Sequence, residues 1–198
     1  AGGRTVLNVK TERPDRTARI SKVVANLPAG VLSDLNLVTE CTTQQAVDQA
    51  CPAESRIGTV TATSGVGPAP STVQGSIFLR EPEPGAVAAA VIATPVKIGD
   101  VNLGNLNLPA RIGLRPEDQG LRFIAEVPQR FKGLSLNLRS FEVALDRPNF
   151  AINPTSCSPL TSTSNLFSDR GTTADVPLTF QVSGCESLAF EPSLAFSL

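Results

Sequence analysis

Apolar and polar residues alternate with a period of two along most of this chain, which is the pattern of half-buried β-strands. The segments that show it are residues 4–10, 17–27, 57–64, 73–80, 110–115, 121–127 and 176–182. Turn-forming glycine and proline separate them, as in residues 27–30 and in residues 65–70, where the turn predicts a hairpin. Strands at such short spacing are typical of an antiparallel sandwich or barrel. We therefore predict an all-β fold, an antiparallel β-sandwich, that forms a single domain over residues 1–192.

The alternation also predicts which face each side chain occupies. In residues 110–115 it points Ala110, Ile112 and Leu114 inward and Arg111 and Arg115 outward. Two other strands each place one set of apolar residues on a single face, namely Leu121, Phe123, Ala125 and Val127 in the first and Val176, Leu178, Phe180 and Val182 in the second. Residues 86–94 are apolar on both faces, so we place them in a central strand that is covered on both sides.

The alternation changes phase once, within residues 134–146. The apolar positions are first even and then odd, namely Leu134, Leu136 and Leu138 followed by Phe141, Val143 and Leu145. A regular strand would send one of these sets into water. An extra residue near Arg139 and Ser140, a β-bulge, returns both sets to the core.

The four cysteines indicate the compartment. Cys41 and Cys51 lie close together, Cys157 and Cys185 are farther apart, and neither spacing fits a zinc site or a redox pair. Three pairings are possible, and we favour 41–51 with 157–185 because each pair brackets one compact loop. Loops of these lengths contribute about 3 and 3.5 kcal/mol to stability on the chain-entropy model. The alternative is four free thiols in a cytosolic protein; paired cysteines instead predict a secreted or cell-envelope protein.

One segment predicts a helix. Residues 42–50, between the first two cysteines, contain good helix formers behind a threonine cap, and Pro52 limits their extension. So short a helix is marginal unless it is held at its ends, and a 41–51 disulfide would hold it.

Composition excludes several classes of function. The 198 residues carry a formal net charge of −1 with acids and bases interspersed, so no basic stripe indicates nucleic acid. No apolar run is long enough to insert in a membrane. The chain contains no His, which rules out Ser-His-Asp and Cys-His centres and HExxH metal sites. We expect no cofactor. The absence of Met and the Ala-Gly-Gly start predict a processed fragment of a longer protein.

Two groups of polar residues remain as candidates for chemistry. Glu126 and Glu142 are carboxylates on predicted strands, where a glycosidase could hold its acid pair, but a solvated strand face opposite the core is the better explanation for them. Asp100, Asn102 and Asn105 suggest a calcium loop, yet they lack the full motif and fit turn chemistry. We therefore predict neither an enzyme nor a metal site.

One loop is a candidate contact surface. Phe131 lies between Arg130 and Lys132, which places an aromatic side chain between two cations in a predicted loop. The alternative is that Phe131 packs against the edge of the sandwich. Sugar-binding sandwiches usually stack rings on exposed Trp or Tyr, and this chain has neither.

Several strings carry a family resemblance. The most specific are CPAESRIG at residues 51–58 and NPTSC at residues 153–157, and FQVSGC at residues 180–185 adds to them. Together they resemble a repeat unit of large secreted actinobacterial proteins of unknown function. The resemblance implies an exported, cell-envelope setting and tandem repetition, although a single unit is visible in this chain. It brings no catalytic or binding residues.

These observations predict a non-catalytic structural or adhesive module at the cell surface, one of several tandem domains. Its expected partners are neighbouring domains of the same chain, with a cell-envelope polymer or a surface protein as further possibilities. The alternative is a ligand-binding module for envelope glycan or another surface partner. A concave face with exposed Phe and converging polar groups would favour binding.

The C-terminal residues alternate like a strand after the last cysteine. We predict a closing strand at residues 188–190 and, in residues 193–198, a linker or the first strand of a following unit. The alternative is that residues 193–198 complete this domain's own sheet.

Overall fold

The computed structural model describes residues 1–99 and 101–195 and shows an all-β chain. The strands, in chain order, are β1 (Arg4–Thr5), β2 (Leu7–Glu12), β3 (Ile20–Asn26), β4 (Leu32–Ser33), β5 (Arg56–Ser64), β6 (Ser71–Arg80), β7 (Ala88–Ile98), β8 (Val101–Leu114), β9 (Leu121–Glu126), β10 (Arg130–Phe131), β11 (Leu134–Ser135), β12 (Leu138–Leu145), β13 (Ala151–Ile152), β14 (Leu160–Ser168) and β15 (Thr173–Phe180). One α-helix, α1 (Thr43–Val47), and three short 3₁₀ turns (Leu35–Leu37, Ala53–Ser55 and Cys185–Ser187) complete the elements.

Most of the strands belong to one long antiparallel sheet. Within the described residues it is a 10-stranded sheet in the order β15-β14-β3-β9-β8-β7-β6-β5-β12-β2. The sheet curls so that β3, β9 and β8 face β5, β12 and β2 across a shared apolar interior. These two arms are the facing layers that the alternation required, and they confirm the all-β antiparallel class. The expected hairpin at residues 65–70 is present between β5 and β6.

The two ends of the curled sheet differ. At one end β1, β13 and β4 form a separate 3-stranded sheet, and the buried Phe150 and Val38 close the interior beneath it. We call this the plugged end. At the other end, residues 13–19 run from β2 to β3 and residues 127–137 run from β9 to β12, so both segments pass from one arm to the other. We call this the open end.

Residues 88–91 of β7 are covered on both faces, as predicted, whereas Val87 just before the strand is 46% exposed. In β7, Ala88 and Ala90 are buried in the interior, while Ala89 and Val91 are buried on the outer face. The outer cover is the disulfide loop that contains α1, whose Ala46 packs with Val91.

Both predicted disulfides are present. Cys41 pairs with Cys51 and Cys157 pairs with Cys185, with Cα–Cα distances of 5.2 and 6.0 Å. The predicted helix lies inside the first disulfide loop, and Thr42 caps it by accepting a hydrogen bond from the Gln45 amide. Because α1 is only 5 residues long, the cap and the disulfide are what hold it.

The predicted β-bulge is confirmed. The register between β12 and β5 shifts between Leu138, which is opposite Ser64, and Ser140, which is opposite Thr63. The shift lets Leu138 and Phe141 both line the interior. The prediction was wrong for Leu134, which is 40% exposed, because it belongs to the β10–β11 hairpin and not to the same strand.

Other expectations need correction. The predicted strand at residues 4–10 is two strands, β1 and β2, that join different sheets. Arg115 was expected to point outward but is only 7% exposed, because it folds into the loop between β8 and β9, and Leu114 at the end of β8 is 45% exposed. The expected strand at residues 188–190 does not form; Phe190 lies in irregular chain and is 89% exposed.

β15 forms where predicted, but its apolar face is not buried. Val176 is paired with Ser164 and Leu178 with Ser162, and they are 48% and 62% exposed. β15 is an edge strand, and the exposure of these side chains shows that no other part of residues 1–99 and 101–195 covers this face. Sharing a face therefore does not bring burial here.

Candidate apolar binding cavity

The interior between the two arms contains a cavity of about 320 Å³. Both arms contribute apolar side chains to its walls, including Val9, Val60, Ile92, Leu108, Phe123 and Phe141. The exceptions are hydroxyl side chains such as Thr94 and Ser164, and the single charged residue Lys97. Few interior voids of folded proteins exceed the size of a water molecule, whereas small-molecule sites run from about 300 to 1,000 Å³. The cavity therefore has the size and the lining of a site for an apolar molecule.

The cavity wall contains both buried and half-buried side chains. Ile57, Ala88 and Ile112 near the plugged end are between 2% and 7% exposed. Leu106 and Val127 toward the open end are half-buried although they are apolar and face the same interior, so solvent reaches the cavity there.

The wall is also partly exposed at the plugged end. Leu32, Leu35 and Val87 line the cavity and are 50%, 37% and 46% exposed, so the cavity approaches the surface at that end too.

The alternation of side chains along each strand explains why most of the cavity wall is apolar. Each strand of the two arms presents alternate residues inward, so a strand such as β5 contributes Val60 and Ala62 while Thr61 lies on the outer face. Small residues also keep the arms from filling the space. Ala25 on β3 is paired with Phe123 on β9, and Ala125 on β9 is paired with Val23 on β3. All four residues line the cavity, so each pair sets a small side chain beside a larger one.

The open end is rich in cations. Arg13 donates from Nε to the Leu138 carbonyl at 2.7 Å, and Arg139 donates to the Gly67 carbonyl at 2.8 Å. These contacts tie the segment of residues 13–19 and the β5–β6 turn to β12. The guanidinium groups bind backbone carbonyls here, so their charge is not neutralised by these contacts.

The predicted contact loop also lies at the open end. Arg130 and Phe131 form β10, which pairs with β11 in the segment that passes between the arms. Lys132 donates from Nζ to the Leu103 carbonyl at 2.8 Å and lies 5.6 Å from the centre of the Phe131 ring. Phe131 is half-buried and Arg130 is exposed. The structure therefore places all three residues beside the mouth of the cavity.

The charges at the plugged end are arranged differently. There, arginine side chains lie within 4.0 Å of carboxylates in the pairs Arg4–Asp34, Arg56–Asp146, Arg80–Glu83, Arg111–Glu83, Arg115–Asp118 and Arg122–Glu117. Arg147 is held instead by the carbonyls of Glu54, Arg56 and Leu37. The positive charge of this end is thus largely matched.

Three aspartates have a lowered pKa. A hydrogen bond from the Gly67 amide lowers the pKa of Asp15 below its usual value of 3.8, and hydrogen bonds from Arg19 do the same for the pKa of Asp169. At the plugged end, a hydrogen bond from Arg115 lowers the pKa of Asp118. All three carboxylates are therefore ionised at neutral pH.

The other candidate residues do not converge. Glu126 and Glu142 are exposed on β9 and β12, which are not neighbours in the sheet. Asp100 lies outside the described residues, and Asn102 caps the nearby backbone by accepting a hydrogen bond from Gly104. Among residues 1–99 and 101–195 there is no group of three or more His, Cys, Asp or Glu side chains placed to hold a metal ion.

A second, smaller cavity of about 290 Å³ lies on the outer face beneath α1. Its walls mix Val91 and Phe78 with the amides of Gln74 and Asn107, and Asn107 donates to the Ala46 carbonyl. This space separates the disulfide loop from the sheet and has no uniform chemistry.

Sequence reasoning singled out residues 130–132 as a candidate contact loop, which stays a prediction, and it did not predict the cavity. The signal for the cavity was the number of alanines at inward positions. Their small side chains leave part of the interior unfilled. None of the helices in the described part of the chain is both long and apolar enough to span a membrane. No protein-family model matches the chain, and no curated protein or solved structure is significantly similar to it.

Proposed function

We propose that this domain is a non-catalytic, extracytoplasmic binding module that holds an apolar molecule between the two arms of its sheet. The observation that carries the proposal is the apolar cavity of about 320 Å³, with half-buried walls toward the open end. Burial of an alkyl chain gains about 0.8 kcal/mol per methylene, and this gain is the driving force for binding.

The disulfides support an exported setting. The pairs 41–51 and 157–185 are typical of proteins in oxidising compartments.

A purely structural or adhesive module would need no such cavity, and we therefore place binding before a structural role. A glycan is a poor fit to the cavity because its walls offer few hydrogen-bonding groups and the chain has no Trp or Tyr. The ligand class favoured by the lining is a hydrocarbon.

The test is a fluorescence titration with N-phenyl-1-naphthylamine, a neutral probe that brightens in apolar surroundings. We expect saturable binding near one probe per domain. Ala62→Phe fills the cavity from β5 and is expected to weaken binding about tenfold or more, since it removes space that the probe occupies. Thr61→Phe adds the same ring one residue away on the outer face and is expected to leave binding unchanged.

Circular dichroism and a melting curve establish that both variants fold. If Ala62→Phe does not fold, Ala125→Leu makes a smaller change in the opposite arm. The proposal is overturned if the probe does not bind saturably, or if the inward and outward variants bind it equally well.

A further inference from the structure

The cations of the open end identify the polar part of the ligand. Building on the proposed function, we infer that the ligand is an anionic single-chain amphiphile, such as a fatty acid or an alkyl phosphate. Its hydrocarbon tail lies between the two arms and its head group meets the cations at the open end.

The first step concerns charge that no carboxylate matches. Within residues 1–99 and 101–195, none of the salt bridges involves Arg13, Arg130, Lys132 or Arg139, whereas six arginines of the plugged end are paired. Three of the four cations at the open end are fixed by backbone carbonyls, so they are positioned and still positive. A positioned cation without a carboxylate is what an anionic head group requires.

The second step concerns the carboxylates of the same end. Glu12 is paired with Lys10, and Glu126 lies 4.0 Å from Lys22. Asp169 is bound by Arg19. Asp15 accepts hydrogen bonds from the amides of Gly67 and Arg16, and its charge acts on the guanidinium groups of Arg139 and Arg16, so it offsets part of their positive charge. The positive charges of Arg13, Arg130 and Lys132 remain.

The cations of the open end lie around the mouth of the cavity. Lys97 is a charged residue in the cavity wall itself. Lys132 is tied to β8 in one arm, and Arg13 and Arg139 are tied to β12 and the β5–β6 turn in the other. Cations thus flank the mouth from both arms, while the wall between them is apolar.

The orientation follows from the difference between the two ends. At the plugged end Phe150 is buried, and the arginines other than Arg147 have carboxylate partners. A head group placed there would meet carboxylates such as Glu83 and Asp146, which repel an anion. The tail therefore points toward the plugged end and the head stays at the open end, where water also solvates it.

The test compares three ligands with the same dodecyl chain, measured by displacement of the neutral probe below their micellar concentrations at low salt. We expect dodecanoate to bind about tenfold more tightly than dodecan-1-ol, and dodecyltrimethylammonium to bind most weakly. Raising the salt from ~0.02 to ~0.5 M should shrink the difference, because exposed charges are screened. Shortening the alkyl chain of dodecanoate by one methylene should weaken its binding about fourfold.

Paired variants locate the head group. Arg130→Gln with Lys132→Gln is expected to weaken dodecanoate about threefold to tenfold and to leave dodecan-1-ol unchanged. Arg111→Gln with Arg122→Gln also removes two positive charges, but at the plugged end, and is expected to have no effect on either ligand.

The outcomes separate this inference from the proposed function. If the alcohol or the ammonium compound binds as tightly as the carboxylate, the anionic head group is wrong while the apolar site stands. An equal loss of dodecanoate affinity in the open-end and plugged-end variants would also overturn the placement of the head group. If none of the three ligands displaces the probe, the proposed function itself fails.

Discussion

Arg115 and Asp118 form a two-point ion pair inside the loop that joins β8 to β9. Arg115 donates from Nε to one carboxylate oxygen at 2.9 Å and from Nη2 to the other at 2.5 Å. The Gly120 amide donates to the same carboxylate at 2.9 Å. These contacts keep Arg115 in the loop and away from solvent, and they lower the pKa of Asp118.

We predict from this pair a loss of stability in acid. The pKa of Asp118 in the folded chain is below its usual value of 3.8, so its contribution is complete above about pH 4 and is lost as the pH falls through the folded value. The pKa values of Asp15 and Asp169 are lowered too, so they act in the same direction. The melting temperature, measured from pH 7 to pH 2, should therefore decrease once the pH is below about 4.

Asp118→Asn provides the control for this prediction. The variant should melt at a lower temperature than the parent at pH 7, and the gap between the two should narrow toward pH 2. A constant gap across the whole range would contradict the assignment.

A second prediction concerns the close approach of β5 and β12. A Cβ atom on Gly58 would lie 2.3 Å from the Ala144 carbonyl oxygen, whereas a Cβ on Gly113 would meet nothing within 4 Å. Gly58→Ala should cost about 1–3 kcal/mol because the strands must move apart, which lowers the melting temperature by roughly 2–12 °C. Gly113→Ala should be neutral or slightly stabilising, and equal effects of the two substitutions would refute the argument.

A third prediction concerns the 41–51 disulfide. Replacing both cysteines with alanine should cost about 3 kcal/mol, since the loop is no longer closed in the unfolded chain. The disulfide loop is also the outer cover of Val91, so hydrogen exchange at Ala46 and around α1 should accelerate most. Protection in α1 that is unchanged after the substitution would show that the cap of Thr42 alone holds the helix.

A fourth prediction concerns the 157–185 disulfide, which brackets β14 and β15. Removing it should accelerate exchange in β15, an exposed edge strand with β14 as its one neighbour among the described strands. Exchange in α1 should not change, because the two loops share no contact surface. Comparable acceleration in both places would instead indicate global destabilisation.

A fifth prediction concerns the C-terminal residues. Leu194 is 83% exposed and Phe190 is 89% exposed, so neither contributes to the core. Deleting residues 193–198 should leave the melting temperature unchanged to within about 1 °C. A drop of several degrees would mean that these residues complete the domain's own sheet.

Sequence periodicity predicted which face of a strand each side chain occupies better than it predicted whether that side chain is buried. The phase switch between Leu138 and Phe141 was sufficient to place the bulge, because a face is a local property of the strand. Val176 and Phe123 show the same alternation, yet one lies on an edge strand in water and the other lines the cavity. Which strands become edges depends on long-range pairing, and no local pattern reports it.

The same distinction between local and long-range properties applies to the candidate site. Arg130, Phe131 and Lys132 were recognisable because an aromatic residue between two cations is unusual in a loop. The cavity beside them depends on how far the two arms stand apart, which is set by the curl of the whole sheet. Arg115 was misplaced for a related reason, since its partner Asp118 follows the strand and not the alternation within it.

The unpaired edges of the large sheet have a mechanical consequence. A closed barrel has a fixed girth, because every strand is hydrogen-bonded to two neighbours and widening it breaks a ladder. Among the described strands, β2 and β15 are the two edges, so no ladder of the large sheet closes one arm on the other. The small sheet links the arms by backbone hydrogen bonds at the plugged end, where β4 pairs with β13. At the open end the width of the cavity is then set by side-chain contacts and by the segments that pass between the arms. Under the proposed function, one domain could in this way accept hydrocarbon chains of differing thickness, straight or branched.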